Sequence, residues 1–217
     1  MQTFEKRGEI DIYQYKISKV FMYLFVGLVI AAFTSYIAST NTWILKNYTI
    51  FIILWIVVSI LLIFAINFFA RDQTVSTILY LIYCSLEGVA LSPIFLIYTK
   101  TSIFLVFLAT GLICLILSIY AKYTKHDFRQ YGFVLLIATI IGLVVSIINM
   151  FFMKSSIVST VLNFVFVIIF SLWFIYDIQI VEDLLNLGYS EAAIALNLFI
   201  DIVGLFINLL ELFGEEK

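Results

Sequence analysis

Along the chain, long apolar stretches alternate with short polar ones. Runs dominated by Ile, Leu, Val and Phe cover residues 20–38, 49–70, 74–98, 102–121, 131–153, 157–180 and 191–213. A helix needs about 20 such residues to cross the hydrocarbon of a bilayer, and each run is of that order. The pattern predicts an all-α membrane protein, a bundle of seven transmembrane helices. Residues 1–19 are read as an N-terminal tail, 20–213 as one seven-helix transmembrane domain, and 214–217 as a short C-terminal tail. The first run exceeds the roughly 7–15 apolar residues of a signal-peptide core and ends without a persuasive cleavage site, so it reads as an uncleaved helix. Trp43, Tyr48, Tyr98, Tyr120, Tyr123, Tyr131 and Tyr189 fall near the ends of runs, where aromatic side chains anchor at the headgroups. No internal repeat is visible, so the signature of inverted-repeat transporters is missing.

Composition sharpens this. The chain is 64% hydrophobic and 12% charged, about half the charged fraction of a soluble domain, so lipid must solvate most of its surface. A net charge of −2 leaves no electrostatic footprint for nucleic acid. The lysines and arginines divide eight to four between alternate connections, the larger share lying with Lys6, Arg7, Lys16, Lys19, Arg71, Lys122, Lys125 and Arg129. That asymmetry predicts a cytoplasmic N-terminus and, with seven crossings, a C-terminus outside. Short tails without a retention signal favour a bacterial plasma membrane over the endoplasmic reticulum. Cys84 and Cys114 lie within apolar runs and are read as buried small hydrophobes, not as a disulfide.

Within the spans, small and polar residues recur at helical spacing: Gly27, Ala31 and Thr34; Gly111, Cys114 and Ser118; Gly142, Ser146 and Asn149. These stripes are expected to serve as helix–helix contacts, where small residues let backbones approach. Asn197, Asp201, Gly204, Asn208 and Glu211 likewise share one face of the seventh run. The acids within the membrane carry more information. Glu87, Asp177 and Asp201 lie well inside spans, where an ionised carboxylate costs about 2.5–3.5 kcal/mol on insertion scales, so such groups face a partner or a pathway.

Asp177 and Asp201 have a predictable relation in depth. The sixth helix can run on to Leu187 and stop at Gly188, and Ser190 with Glu191 can start the seventh. Asp177 then lies ten residues before Leu187 and Asp201 eleven after Ser190. At about 1.5 Å per residue both sit about 15–17 Å from the same turn, level with each other if the helices are antiparallel neighbours. Equal depth does not establish contact. If the carboxyls do meet, two neighbouring charges in a poor dielectric are prohibitive and one proton is shared. Protonation then toggles a hydrogen-bonded pair against a repelling dianion, and the dianion attracts a hard cation. Calcium takes six to eight oxygens, so two acids, even helped by Asn197, Asn208 and water, make a weak transit site.

Three segments resemble the Bax inhibitor-1 (transmembrane Bax inhibitor motif) family. They are Glu87-Gly88-Val89-Ala90-Leu91-Ser92-Pro93; the stretch from Ser118 to Phe128 with its Thr124-Lys125-His126-Asp127 turn; and Tyr176-Asp177-Ile178-Gln179 followed by Leu198-Phe199-Ile200-Asp201-Ile202-Val203-Gly204-Leu205-Phe206. The likeness runs from about Arg71 to the C-terminus. It implies a seven-helix bundle with the last helix at its centre, and a pH-sensitive calcium leak controlled by paired aspartates that map onto Asp177 and Asp201. It also implies an arginine latch near the end of the second helix, for which Arg71 is the nearest position; Glu87, from its depth in the third span, is read as a secondary candidate for the latch or pathway, with Asn197 and Asn208. The family's tyrosine and asparagine in the last motif are Phe199 and Gly204 here.

Two other readings stand beside the leak. The chain could be a non-transporting membrane regulator that binds a protease or a cell-death protein. An enzyme is not expected: His126 is the one histidine, in a connection, and neither His-Glu-x-x-His nor Gly-x-Ser-x-Gly occurs. No cofactor is expected; calcium and protons enter as the transported ion and its control.

Overall fold

The computed structural model describes residues 2–217, with side chains for residues 14–217 except 45 and 49. The helices are α1 (Gln2–Thr40), α2 (Thr42–Lys46), α3 (Tyr48–Phe68), α4 (Gln73–Ala90), α5 (Ile94–Ile97), α6 (Lys100–Tyr123), α7 (Gly132–Ile148), α8 (Ser156–Asn186) and α9 (Glu191–Phe213). Seven stretches among the described residues are long and apolar enough to cross a membrane, in agreement with the hydropathy pattern. Two boundaries differ from it. α1 begins at Gln2, so the expected tail continues the first helix. The third span breaks after Ala90, where Pro93 offers no N–H and forces a turn before α5 restarts the helix.

The described chain forms two compact units. The first comprises Met1–Leu96 with Val181–Phe199, the second Ile97–Ile180 with Ile200–Lys217. In the first, α4 packs against both α1 and α3. A side chain at Gly88 would collide with the backbone of Ala31, so only glycine allows α1 and α4 this close. Tyr80 is buried and its hydroxyl donates to the Tyr23 carbonyl at 3.0 Å. The rings of Tyr80 and Tyr83 both meet Phe199 edge to face.

The turn between α8 and α9 belongs to this unit and has the chemistry its sequence predicts. Gly188 takes φ +81°, and the N–H groups of Gly188 and Tyr189 bond back to the carbonyls of Leu185 and Leu184, a Schellman stop. Ser190 then caps α9 through its Oγ, which accepts from Ala193 N at 3.1 Å. Ser190 is also held from outside its helix: its N–H donates to Ala70 O at 2.6 Å, and its Oγ lies 2.6 Å from Ser76 Oγ.

In the second unit, α8 and α9 run antiparallel. Phe164 meets Phe213 and Phe170 lies on Gly204, so residue numbers rise on one helix as they fall on the other. Asn149 closes the end of α7. Its Oδ1 accepts from Ser155 N, and its Nδ2 donates to Ser155 O and Ser159 Oγ. The C-terminus is strapped to the connection before α6: Thr99 N donates to Glu215 O, Lys217 N to Ile97 O, and Glu215 N to Ser102 Oγ. The ends of α5 and α9 therefore share one side of the membrane. If α6, α7 and α8, each long and apolar enough, all cross, then α9 crosses as well.

The burial of the spans is uneven. Of α9's most apolar window 78% is buried, against 11–39% for the other six. The stripes of small residues are uneven too. Gly27 and Gly142 lie under Tyr80 and Phe166, whereas Gly111 faces open space, so the expected contact stripe on the fourth span is absent there.

Candidate functional site: a buried aspartate pair

Asp177 lies on α8 and Asp201 on α9, 7% and 4% exposed, both in the second unit. The antiparallel register brings them to one level, and their carboxyl groups lie within hydrogen-bonding reach of each other. The contact that equal depth left open is present. Asp201 Oδ2 is shut off from solvent and takes no N–H or O–H from any described residue. Two ionised carboxylates have nothing to donate, so this contact requires a proton held between them. Among the described residues, no group of three or more His, Cys, Asp or Glu side chains could hold a metal ion. The acid set is two carboxyls.

The neighbouring positions divide as follows. Asn208 lies two turns beyond Asp201 and spends its Nδ2 on Gly204 O at 2.7 Å, within α9. Asn197 is half-buried in the part of α9 that belongs to the first unit. Arg71, also in the first unit, is exposed and lines an open cleft of about 380 Å³ with Asp72 and Tyr189. Asp72 is occupied as the N-cap of α4, accepting from Thr74 N and Val75 N at 3.0 Å. Glu87 is 7% exposed in the first unit and well satisfied: Trp55 Nε1 donates to its Oε2 at 3.2 Å, and Tyr83 hydrogen-bonds to it as well.

Two residues near the pair escaped the sequence reading as individuals. Gln179, half a turn beyond Asp177, binds the connection after α6 on three backbone groups. Its Nε2 donates to Ala121 O at 3.3 Å and His126 O at 3.0 Å, and its Oε1 accepts from Phe128 N at 2.7 Å. It ties the Tyr-Asp-x-Gln segment to the Thr-Lys-His-Asp turn, two of the motifs that carry the resemblance. Phe170 packs on Gly204 between the levels of Asp201 and Asn208, so close that a Cβ on Gly204 would lie 2.6 Å from the ring. Its signal was the glycine standing where the family has asparagine.

Comparison with known proteins agrees with the motifs. The sequence model of the family described as "Inhibitor of apoptosis-promoting Bax1" matches residues 14–217. The inner membrane protein YbhL of Escherichia coli is 28% identical over 214 residues, covering 92% of this chain and 91% of its own. A protein of Borreliella burgdorferi is 30% identical over 226 residues, 98% and 97% of the two chains, and a membrane protein of Streptococcus pyogenes is 28% identical over 211 residues, 92% of each. With seven apolar helices, paired aspartates on the last two, and a family match over nearly its whole length, the chain is a multi-pass membrane protein belonging to the Bax inhibitor-1 family.

Proposed function

We propose that the protein is a proton-controlled leak for calcium in a bacterial plasma membrane, with the N-terminus cytoplasmic, and that it carries out no covalent chemistry. The contact between the Asp177 and Asp201 carboxyls carries this reading. With one shared proton the two helices are joined by a hydrogen bond at this level. Loss of that proton replaces the bond by repulsion and leaves two anionic oxygen groups that favour a hard cation. Calcium and the proton then compete for one site, so calcium binding releases a proton and apparent calcium affinity rises with pH, by up to about tenfold per unit for one proton displaced. Two carboxyls without a third acid bind calcium weakly, as transit requires. Asn208, in the same unit as the pair, keeps an amide oxygen available to a passing ion.

The test is calcium flux into liposomes holding the purified protein, measured across pH 5–8. Wild-type flux should depend on pH and Asp201→Asn should abolish that dependence. An unchanged profile in the variant would sink the paired-aspartate account. The family description favours a second reading, a membrane regulator that acts by binding another protein. Liposomes inert at every pH, with a partner that co-purifies, would point there.

A further inference from the structure

Within the second unit, a cleft of about 680 Å³ opens between α7, α8 and the end of α9. Its lining is unusual for a chain this apolar. Ser146, Asn149, Ser159, Asn163, Asn208 and Glu211 present amide, hydroxyl and carboxylate groups into it, from helices whose other faces are Ile, Leu, Val and Phe. Asn149 and Ser159 pair with each other and with Ser155, and the Asn208 amide N–H bonds Gly204, but the polar groups of Ser146, Asn163 and Glu211 have no hydrogen bond to a described residue. In contact with hydrocarbon they are costly, whereas water satisfies them, and the volume holds about twenty waters at about 30 Å³ each. Along α8 the cleft descends from Ser156 to Phe170, about 21 Å at 1.5 Å per residue. It stops at Phe166 and Phe170, whose rings lie 6.1 Å apart. Gly204 has no side chain, and that absence lets the Phe170 ring sit directly on α9. One turn past Gly204 toward the turn lies Asp201; one turn the other way lies Asn208, already inside the cleft.

We propose that this cleft is a water-filled vestibule for a hydrated cation, closed from the Asp177–Asp201 pair by Phe170 seated on Gly204. The inference rests on the leak reading for the identity of the ion but not for the presence of water. Lys154 and Glu211, both exposed and both lining the cleft, carry opposite charges. The vestibule therefore admits ions without concentrating cations, and discrimination falls to the aspartates. The aromatic ring supplies a dry constriction of the kind that gates by excluding water.

Thiol labelling tests both halves without relying on transport. Single cysteines placed at Asn163 and Phe164 in the protein in liposomes are exposed to a membrane-impermeant trimethylammonium methanethiosulfonate. The two positions are adjacent in depth, and only Asn163 lines the cleft. Asn163→Cys should react at least about tenfold faster than Phe164→Cys, because the reacting thiolate forms in water and not in lipid. Equal rates would overturn the vestibule. For the gate, native Cys114, buried in the same unit as the pair, is the reporter and native Cys84, buried in the first unit, is the control for unfolding. In Phe170→Ala, Cys114 should become labelled while Cys84 stays protected; Cys114 unreactive in that variant would overturn the gate. Labelling of both cysteines would mean unfolding, and Phe170→Val then decides by the same criterion. Wild-type liposomes that pass no calcium while both thiol results hold would remove the leak reading and leave the wet cleft standing.

Discussion

Glu87 and the Asp177–Asp201 pair are buried to the same extent in helices of the same character, yet they are chemically opposite. Glu87 is met by an indole N–H and a phenol, donors fixed by α3 and α4 that stabilise its oxygens whatever moves nearby. Asp201 Oδ2 has no such donor among the described residues, and the two carboxyls have each other. A hydrogen bond to a charged group contributes about 1.5–3 kcal/mol, so the surroundings of Glu87 favour one fixed arrangement. At the pair, one proton decides between bond and repulsion. What the proposed switch requires is therefore not burial alone but burial without fixed donors.

This comparison is most directly broken by exchanging charge for amide in both places. Asp177→Asn should flatten the pH profile of calcium flux, whereas Glu87→Gln should leave it intact, because the amide oxygen still accepts from Trp55 and Tyr83. Glu87→Ala should instead lower stability by about 1–3 kcal/mol for each donor left unpaired. Buried Cys84 and Cys114 report that change through the temperature at which a thiol-reactive dye gains access. If Glu87→Gln flattens the profile as far as Asp177→Asn does, the distinction between fixed and shared protons fails.

A smaller effect is expected at the turn that sets the depth of the aspartates. Ser190→Ala removes the N-cap of α9 and the contact with Ser76, and should cost about 1 kcal/mol by the same dye assay. Ser76 Oγ keeps the Asp72 carbonyl as a partner at 2.7 Å, so no buried hydroxyl is orphaned to enlarge the loss. No shift in the unfolding temperature would show that the Schellman stop at Gly188 sets the helix start without the cap.

The depth of the pair was legible because Gly188 and Ser190 encode the turn through local backbone chemistry, and counting residues along a helix does the rest. The contact was not legible. Which face a membrane helix turns to its neighbour is weakly encoded where nearly every face is apolar, and α8 is apolar all round apart from a few positions. Phe170 could not be matched to Gly204, nor Trp55 to Glu87 across 32 residues, for the same reason. The break at Pro93 was not read either, because the apolar residues around it form one continuous run. Gln179 was visible only as a letter in a motif, since its partners are backbone atoms and backbone atoms leave no trace in sequence.

The smallest expected effect lies at the strap, where the second unit holds a group outside the membrane spans that does feel fixed charge. Tyr98 forms a bridge with Glu216 and packs its ring against Gly214. Burial, then the carboxylates of Glu211 and Glu216, push its phenol above the ordinary tyrosine value of 10.0, because each opposes a phenolate. The sign follows: the neutral phenol suits the folded strap, so this contribution is intact below the ordinary tyrosine pKa and fades as pH rises through the shifted one. Glu216→Gln removes one opposing charge and should move the phenol back toward its ordinary value. The shift is read as the difference in ultraviolet titration between each protein and its Tyr98→Phe counterpart. Because side-chain charge at the strap meets water and salt, the movement should shrink as ionic strength rises. A phenol that titrates identically with and without Glu216 would mean that burial alone holds it. The electrostatic contrast between this exposed end and the interior pair would then rest on the aspartates.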